Sequence, residues 1–377
     1  MSSTKTYICL DIGGTYIKHG LLTETGEILI KGKIPTRAKE GGQAVFEQAV
    51  GLVEGYLEKK KTSAISEKET DFLRVDREEP FPVSLDERPD TEKHSESDFI
   101  RQTQVETDLS EADEIAVEMQ DHTGKISGIA ISTAGMVDPA TGTILHASDA
   151  IPGYAGISYK AYMEENFHLP CAVENDVNCA GLAESISGAG KGSRINLCLT
   201  VGTGIGGAVV IGGKLFNGFA NRGTELGHVP LIANGEPCAC GSVGCLEHYA
   251  STSALVRRFS KRAAEAGISF PGEEINGELI VRLYKEGDKL ATECLDEHCD
   301  FLGHGIAGFI NIFSPQRIVI GGGLSEVGDF YIRKVSEKAH RYAIADCAVN
   351  TQIMAASLGN KAGSIGAASL VFSLNTK

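Results

Sequence analysis

With 377 residues, 42% hydrophobic and 23% charged, the chain has material for two domains with their own cores and the composition of a water-soluble protein. The net charge of −15 argues against the basic surface that nucleic-acid binding needs. No apolar run approaches the ~18 residues of a membrane span, and the opening MSSTKTYICLDIGG has no signal-peptide pattern, so the expected setting is cytoplasmic, with no membrane partner.

In chain order, Tyr7–Asp11 is a short β-rich run ending in Gly13-Gly14-Thr15. Ile17–Leu22 and Ile28–Ile34 follow across a turn at Thr25-Gly26, which predicts an antiparallel three-strand meander. Apolar residues at Ala44, Val45, Ala49, Leu52, Val53 and Tyr56 have helical spacing. From about residue 59 to 108 charge dominates, prolines interrupt and no period survives; this reads as a solvated acidic insertion, closed by a helix over Leu109–Gln120. Between Glu58 and Asp121 there are 20 acidic and 9 basic residues, so most of the chain's net charge lies there.

Regular structure resumes with the strand Ile126–Ser132, ending in Thr133-Ala134-Gly135. A short strand at Ala172–Val173 leads through Glu174-Asn175-Asp176 into a helix over Val177–Ile186. Ile195–Thr200 is a strand, and Gly202–Gly207 is a second glycine-rich turn leading into Ala208–Ile211. Helices are predicted near Ser253–Ala266, Glu278–Glu286 and Asp288–Phe313. The strand Arg317–Ile320 then ends in Gly321-Gly322-Gly323, and a strand at Gln352–Ala355 and a helix from Ala362 to about Ser373 complete two α/β halves.

Between Asn221 and Ser251 lie His228, Cys238, Cys240 and Cys245, bracketed by Glu225 and Glu247. One imidazole and three thiolates form the donor set of a closed, tetrahedral, structural zinc site with no position left for water. Such a metal would fold a Gly/Pro-rich loop and fix where the two glutamates point. The other cysteines, such as Cys9, Cys179 and Cys198, sit in apolar runs as small buried hydrophobes.

Asp11 followed by Gly13-Gly14 puts a carboxylate at a strand end and backbone amides where an anion can sit, and Thr200–Gly207 supplies a second such turn; alone, each is equally a hairpin. Gly321–Gly323 would let a flat nucleoside approach the backbone, or serve tight packing. Asp176 lies just past a strand with no cation near it in sequence, as a general base for phosphoryl transfer should, although Asn-Asp is also a helix cap.

Taken together, DIGGT at 11–15, VENDVNCA at 173–180, TVGTGIGGAVV at 200–210, ELGH at 225–228, CACGSVGCLEHYAS at 238–251 and IVIGGG at 318–323 resemble the ROK sugar kinases. The resemblance runs in order from Thr6 to Leu370, leaving only about 59–108 unmatched. It implies the α/β actin-like ATPase (ribonuclease-H-like) fold, two lobes with the active site in the cleft between them. Residues 1–138, with the C-terminal helix 362–377, would form one lobe and 139–361 the other.

It also implies roles. Asp11 resembles the magnesium-side carboxylate, Gly13, Gly14 and Thr15 the first phosphate loop with Lys18 behind it, Thr203 and Gly204 the second loop, and Gly321, Gly322 and Gly323 the adenosine motif. Asp176 matches the general base. Gly135, Asn175, Glu225, His228 and Glu247 match sugar ligands, with His228 serving zinc as well. The implied cofactors are ATP, Mg²⁺ and structural Zn²⁺, and the implied assembly is a homodimer. The expected reaction is ATP-dependent phosphorylation of a hexose or N-acetylhexosamine, at the 6-hydroxyl, of the glucokinase or N-acetylmannosamine kinase type. Two features depart from the glucokinase pattern: STAGMVD at 132–138 lacks the proline common before the glycine, and ASDAIPGY at 147–154 lacks the usual asparagine. The rivals are a sugar-responsive regulator of the same family, for which a DNA-binding segment is expected ahead of the DIGGT strand, and a catalytically silent sugar binder.

Overall fold

The structure is a computed structural model and describes residues 5–23, 26–70 and 125–374. β1 (Lys5–Ile12), β2 (Tyr16–Thr23) and β3 (Ile28–Pro35) form the expected meander. β4 (Lys125–Thr133) pairs parallel to β1, a small hairpin of β5 (Met136–Asp138) and β6 (Thr143–His146) follows, and β7 (Cys171–Asn175) pairs parallel to β4. The order in the first sheet is β3-β2-β1-β4-β7.

The second sheet repeats this arrangement. β8 (Ile195–Val201), β9 (Ile205–Ile211) and the two-residue β10 (Lys214–Leu215) are antiparallel, while β11 (Arg317–Gly321) and β12 (Gln352–Ala355) run parallel to β8, giving the order β10-β9-β8-β11-β12. Two sheets of one topology, neither a closed barrel, constitute the actin-like ATPase fold.

Each sheet has its own apolar core. Ile8, Leu10, Ile129 and Ile131 pack with Val45, Val53 and Tyr56 of the Gly42–Thr70 helix, whereas Leu197, Leu199, Ile318 and Ile320 pack under Leu302, Ile306 and Phe309 of the Lys289–Phe313 helix. The C-terminal helix Ala362–Leu374 lies against β1 and β4 and against the helix Asp176–Ile186, a position its small residues permit.

Several expectations are revised. The helix whose apolar spacing runs from Ala44 to Tyr56 continues to Thr70, so the insertion expected from about 59 begins as helix; Lys, Glu and Ala sustain a helix after the apolar period has ended. Residues 71–108, and the helix expected over 109–120, lie outside the described residues. The chain leaves the first sheet after Asn175, not at 138, because β7 pairs with β4 and needs the helix Tyr159–Phe167 as its crossover. The second glycine turn is confined to Gly202–Gly204, since Gly206 and Gly207 belong to β9 opposite Thr200 and Leu199. Glycine is required at Gly207 because a Cβ there would lie 2.5 Å from Leu226 Cβ.

Candidate active site

Register decides where Asp11 sits. In β1 it pairs with Lys18 of β2 on one side and Ser132 of β4 on the other. Ser132 Oγ donates to Asp11 Oδ1 at 2.7 Å, and Lys18 Nζ lies 3.6 Å from Asp11 Oδ2 and donates to Asn360 Oδ1 at 3.2 Å. Asp176 starts its helix. Asn175 caps it by accepting from Val177 N and Asn178 N, and Asn175 Nδ2 donates to Asp176 Oδ1 at 3.0 Å and to the Gly135 carbonyl at 2.9 Å. Asn175 is thus the cap, and Asp176 is presented beside it.

Asp11, Lys18, Asp176, Thr200, Asn360 and Gly363 line one cleft of about 240 Å³ between the sheets. Burial, and then the Asp11 charge, push the Asp176 carboxyl up to about 6. Behind it, Glu174 is 2% exposed and accepts from Asn175 N, Asn178 Nδ2 and Asn217 Nδ2; burial raises its pKa too. Thr133, opposite Asn175 in the sheet, joins a buried chain of hydroxyls through Tyr154 to Tyr159 that steadies the end of β4.

The glycine turns divide by neighbourhood. The Gly13-Gly14-Thr15 turn closes on itself through Gly13 N and the Tyr16 carbonyl, is braced by Thr36, and places Gly14 beside Ala150. The Gly202–Gly204 turn meets the metal loop: Glu247 Oε2 accepts from Ile205 N at 2.8 Å, and a Cβ on Gly204 would lie 2.3 Å from that oxygen. Glu247 therefore braces a phosphate-loop candidate. Gly322 has φ +97, and a Cβ there would lie 2.2 Å from the Val201 carbonyl oxygen, so β11 ends against β8 with backbone touching backbone. Thr203 forms the tip of its turn, and Gly321 ends β11 opposite Thr200.

His228, Cys238, Cys240 and Cys245 converge, with their ligand atoms all within 4.8 Å of one another. Cys240 Sγ and Cys245 Sγ are 3.7 Å apart, and Cys238 Sγ is 3.6 Å from His228 Nδ1. A tetrahedral ion with Zn–S of about 2.3 Å and Zn–N of about 2.0–2.1 Å needs edges of about 3.8 and 3.5 Å, so the donors fit zinc in type and spacing. Burial and then the neighbouring sulfurs push the Cys245 thiol up to about 12, which a divalent cation would reverse by holding it as thiolate. His228 would ligate through Nδ1.

Glu225 lines a second, smaller compartment with Asn175, next to the first and sharing Val177 with it. Four contributors escaped the reading of the sequence: Ser132, Glu174, Asn360 and Glu184. Glu184 is 1% exposed and accepts from the backbone N–H groups of Ala189, Ser357 and Leu358 and from Ser357 Oγ, which secures the loop carrying Asn360. Only a polar residue on an apolar helix face hinted at it.

The ROK family model matches residues 88–373, and the chain belongs to the ROK family. It is 30% identical to a glucokinase of Halalkalibacterium halodurans over 384 residues, covering 98% of this chain and 96% of that one. It superposes with TM-score 0.67 on a ROK family glucokinase from Streptomyces griseus in complex with glucose and AMPPNP, at 28% identity over 97% of this chain and 98% of the other. The family also holds regulators: a xylose repressor of Caldicellulosiruptor bescii is 30% identical over 254 residues, 66% of this chain and 63% of the repressor.

Among the described residues, no helix is long and apolar enough to cross a membrane.

Proposed function

We propose that this chain is an ATP-dependent sugar kinase that transfers the γ-phosphoryl group to the 6-hydroxyl of a hexose or N-acetylhexosamine. The observation that carries the reading is Asp176, a carboxylate pushed up to about 6 at the N-terminus of a capped helix, in the cleft that also holds Asp11 and Lys18. A base must be ionised at working pH and still bind a proton usefully, and a pKa near 6 meets both demands. Asn175 fixes the carboxylate's direction, so the acceptor hydroxyl would meet Oδ2 while Oδ1 stays bound to Asn175 Nδ2 and Val177 N. Asp176 takes the hydroxyl proton as the oxygen attacks in line.

Asp11, held by Ser132, is the carboxylate that would hold Mg²⁺, whose charge offsets that of the phosphates when it is bound. The Gly13–Thr15 and Gly202–Gly204 turns would present backbone amides to the phosphates, and Gly321–Gly323 would face the adenosine. Glu225, His228 and Glu247, together with Gly135 and Asn175, would orient the sugar, with the His228/Cys238/Cys240/Cys245 zinc site fixing the loop.

The pair of carboxylates favours an enzyme over the regulator that the repressor relative brings to mind, because sugar sensing alone has no use for a base beside a phosphate-side carboxylate. A coupled ADP-release assay with glucose, mannose, N-acetylglucosamine and N-acetylmannosamine tests the reading. Sugar-dependent ADP release is expected with at least one of them, and binding of these sugars without any turnover would overturn it.

A further inference from the structure

A cavity of about 650 Å³ opens between the helices Leu246–Ala250, Thr252–Glu265 and Lys289–Phe313 and shares no lining residue with the cleft that holds Asp176. Its size falls within the ~300–1,000 Å³ of small-molecule sites. One wall is basic although the chain as a whole carries −15: Arg257, Arg258, Lys261 and Arg262 line it from two turns of one helix. They form two like-charged pairs at i,i+4 spacing, and such pairs repel each other along a helix.

One pair is answered from inside the protein. Glu297 spans Arg258 and Arg262, with Oε1 3.4 Å from Arg258 Nε and Oε2 accepting from Arg262 Nη2 at 2.7 Å. The other pair, Arg257 and Lys261, is exposed, and among the described residues no carboxylate oxygen lies within 4.0 Å of either. Glu236 and Glu265 also line the cavity without closing that distance. The arrangement therefore leaves one cationic pair without the anion that its neighbour has. Rings complete the lining: Tyr249 and Phe301 lie 5.2 Å apart between centroids. A carboxylate would bring a single charge, and inorganic phosphate would bring no carbon surface for the rings. A phosphate monoester brings a dianion for Arg257 and Lys261, acceptor geometry that a guanidinium matches, and a skeleton that can lie on Tyr249 and Phe301.

The same arginines reach the machinery of the cleft. Arg257 Nη2 donates to the His248 carbonyl at 2.6 Å and Arg258 Nη2 to the Tyr249 carbonyl at 2.8 Å, so together they hold the last carbonyls of the helix Leu246–Ala250. That helix carries Glu247, which braces the Gly202–Gly204 turn through Ile205 N, and Tyr249, whose hydroxyl accepts from Glu236 N of the metal loop at 2.6 Å. A dianion is a stronger acceptor for Arg257 than a neutral carbonyl, and drawing the guanidinium away would free the end of this helix. Resting on the kinase reading above, we propose that this cavity binds a phosphate monoester, the chemical class of the kinase's own product, and that occupancy slows turnover by loosening the helix that carries Glu247.

The test measures calorimetric binding of glucose 6-phosphate, AMP and inorganic phosphate to the full chain, and coupled ADP release with each present. At least one monoester should bind about tenfold more tightly than inorganic phosphate and lower kcat, an inhibition that saturating sugar and ATP do not relieve. Combining Arg257→Gln with Lys261→Gln should weaken that binding about tenfold or more and remove the loss of kcat, measured against the variant's own uninhibited rate. Glu265→Gln takes a negative charge from the cavity and should tighten binding, while Arg257→Lys keeps the cation and should retain most of the affinity; these two decide the matter if the double variant folds poorly. Monoesters that bind no better than inorganic phosphate, or affinity unchanged in the double variant, would overturn the site. Inhibition that saturating sugar and ATP abolish would place the ligand in the Asp176 cleft instead, and binding without loss of kcat would overturn the coupling. Monoester binding that depends on Arg257 and Lys261, in a protein that releases no ADP with any sugar, would support the site and refute the kinase.

Discussion

Replacing Asp176 with asparagine should separate activity from stability in opposite directions. The folded carboxyl titrates at about 6, against about 3.9 for an aspartate in an unfolded chain, a difference of about two units. The folded state thus holds this proton more tightly than the unfolded state does. Its stabilising contribution is complete below pH ~4, is lost as pH rises from ~4 to ~6, and stays lost above that. At pH 7.5 the ionised side chain accordingly costs the native state ~3 kcal/mol, at 1.36 kcal/mol per unit. An amide stands in for the neutral acid, since its oxygen can still accept from Val177 N and Asn175 Nδ2, so Asp176→Asn should recover most of that amount. With an unfolding entropy of roughly 2.1 cal/mol/K per residue over 377 residues, this is a rise in Tm of about 3–4 °C. The gain should nearly vanish at pH 4, where the folded side chain is protonated and the unfolded one about half so. Turnover, in contrast, should fall ~10²–10⁴-fold with sugar affinity preserved. Differential scanning calorimetry at pH 4 and 7.5, alongside the coupled assay, reads both effects. A variant no more stable than wild type at pH 7.5, or one that keeps more than about a tenth of kcat, would refute the assignment of a buried, charge-strained base.

The wild-type pH profile should follow from the same group: log(kcat/KM) rising with unit slope to a bend near 6 and flat above it, because the base works only when ionised; a bend below 5 would show that another group limits the rate. Cys240→Ala should lose the metal, lower Tm and raise the sugar KM while nucleotide affinity changes less, with about one zinc per chain measured in the unaltered protein; a metal-free variant with unchanged sugar KM would contradict a loop-fixing role. Glu184→Ala strands three backbone N–H groups and should destabilise the protein by ~3–5 kcal/mol in urea unfolding, a loss of under 1 kcal/mol showing that water replaces the carboxylate. Gly322→Ala puts a Cβ against the Val201 carbonyl in a conformation alanine resists, and should raise the KM for ATP at least severalfold; an unchanged KM would remove this turn from the nucleotide site.

Much of the fold could be read from the sequence because strand ends coincide with glycine. The three turns at Gly13, Gly202 and Gly321 and the apolar strands before them predicted the first sheet to within a residue or two and most of the second, although β9 begins three residues before its expected start and β10 was not expected. The convergence of His228, Cys238, Cys240 and Cys245 was legible for a different reason: one imidazole and three thiols within 18 residues have few other uses. What escaped was set by packing. The helix Asp329–Tyr342 buries only Tyr331, Val335 and Ala339 among charged neighbours, a stripe too thin to announce itself. Ser132, Glu184 and Asn217 act through partners 121, 173 and 43 positions away, distances over which no local pattern carries information. The extension of the first long helix to Thr70 was missed because periodicity reports the buried face, and helical conformation outlasts it.

The helix that begins with Asp176 touches both halves of the molecule at close range. On one side a Cβ on Gly366 would fall 1.8 Å from the Cys179 carbonyl oxygen, and on the other a Cβ on Gly181 would fall 2.5 Å from Ala208 Cβ. Two such intimate crossings, one against the terminal helix over the first sheet and one against β9 of the second, leave this helix little freedom to slide past either. If the halves swing about their junction as substrates come and go, it lies on the axle. Lever arms grow with distance from an axle, so the glycine turns and the metal loop would sweep through the larger arcs while Asp176 barely moves. The proton acceptor would then be the fixed point of the site, and nucleotide and sugar would be carried to it.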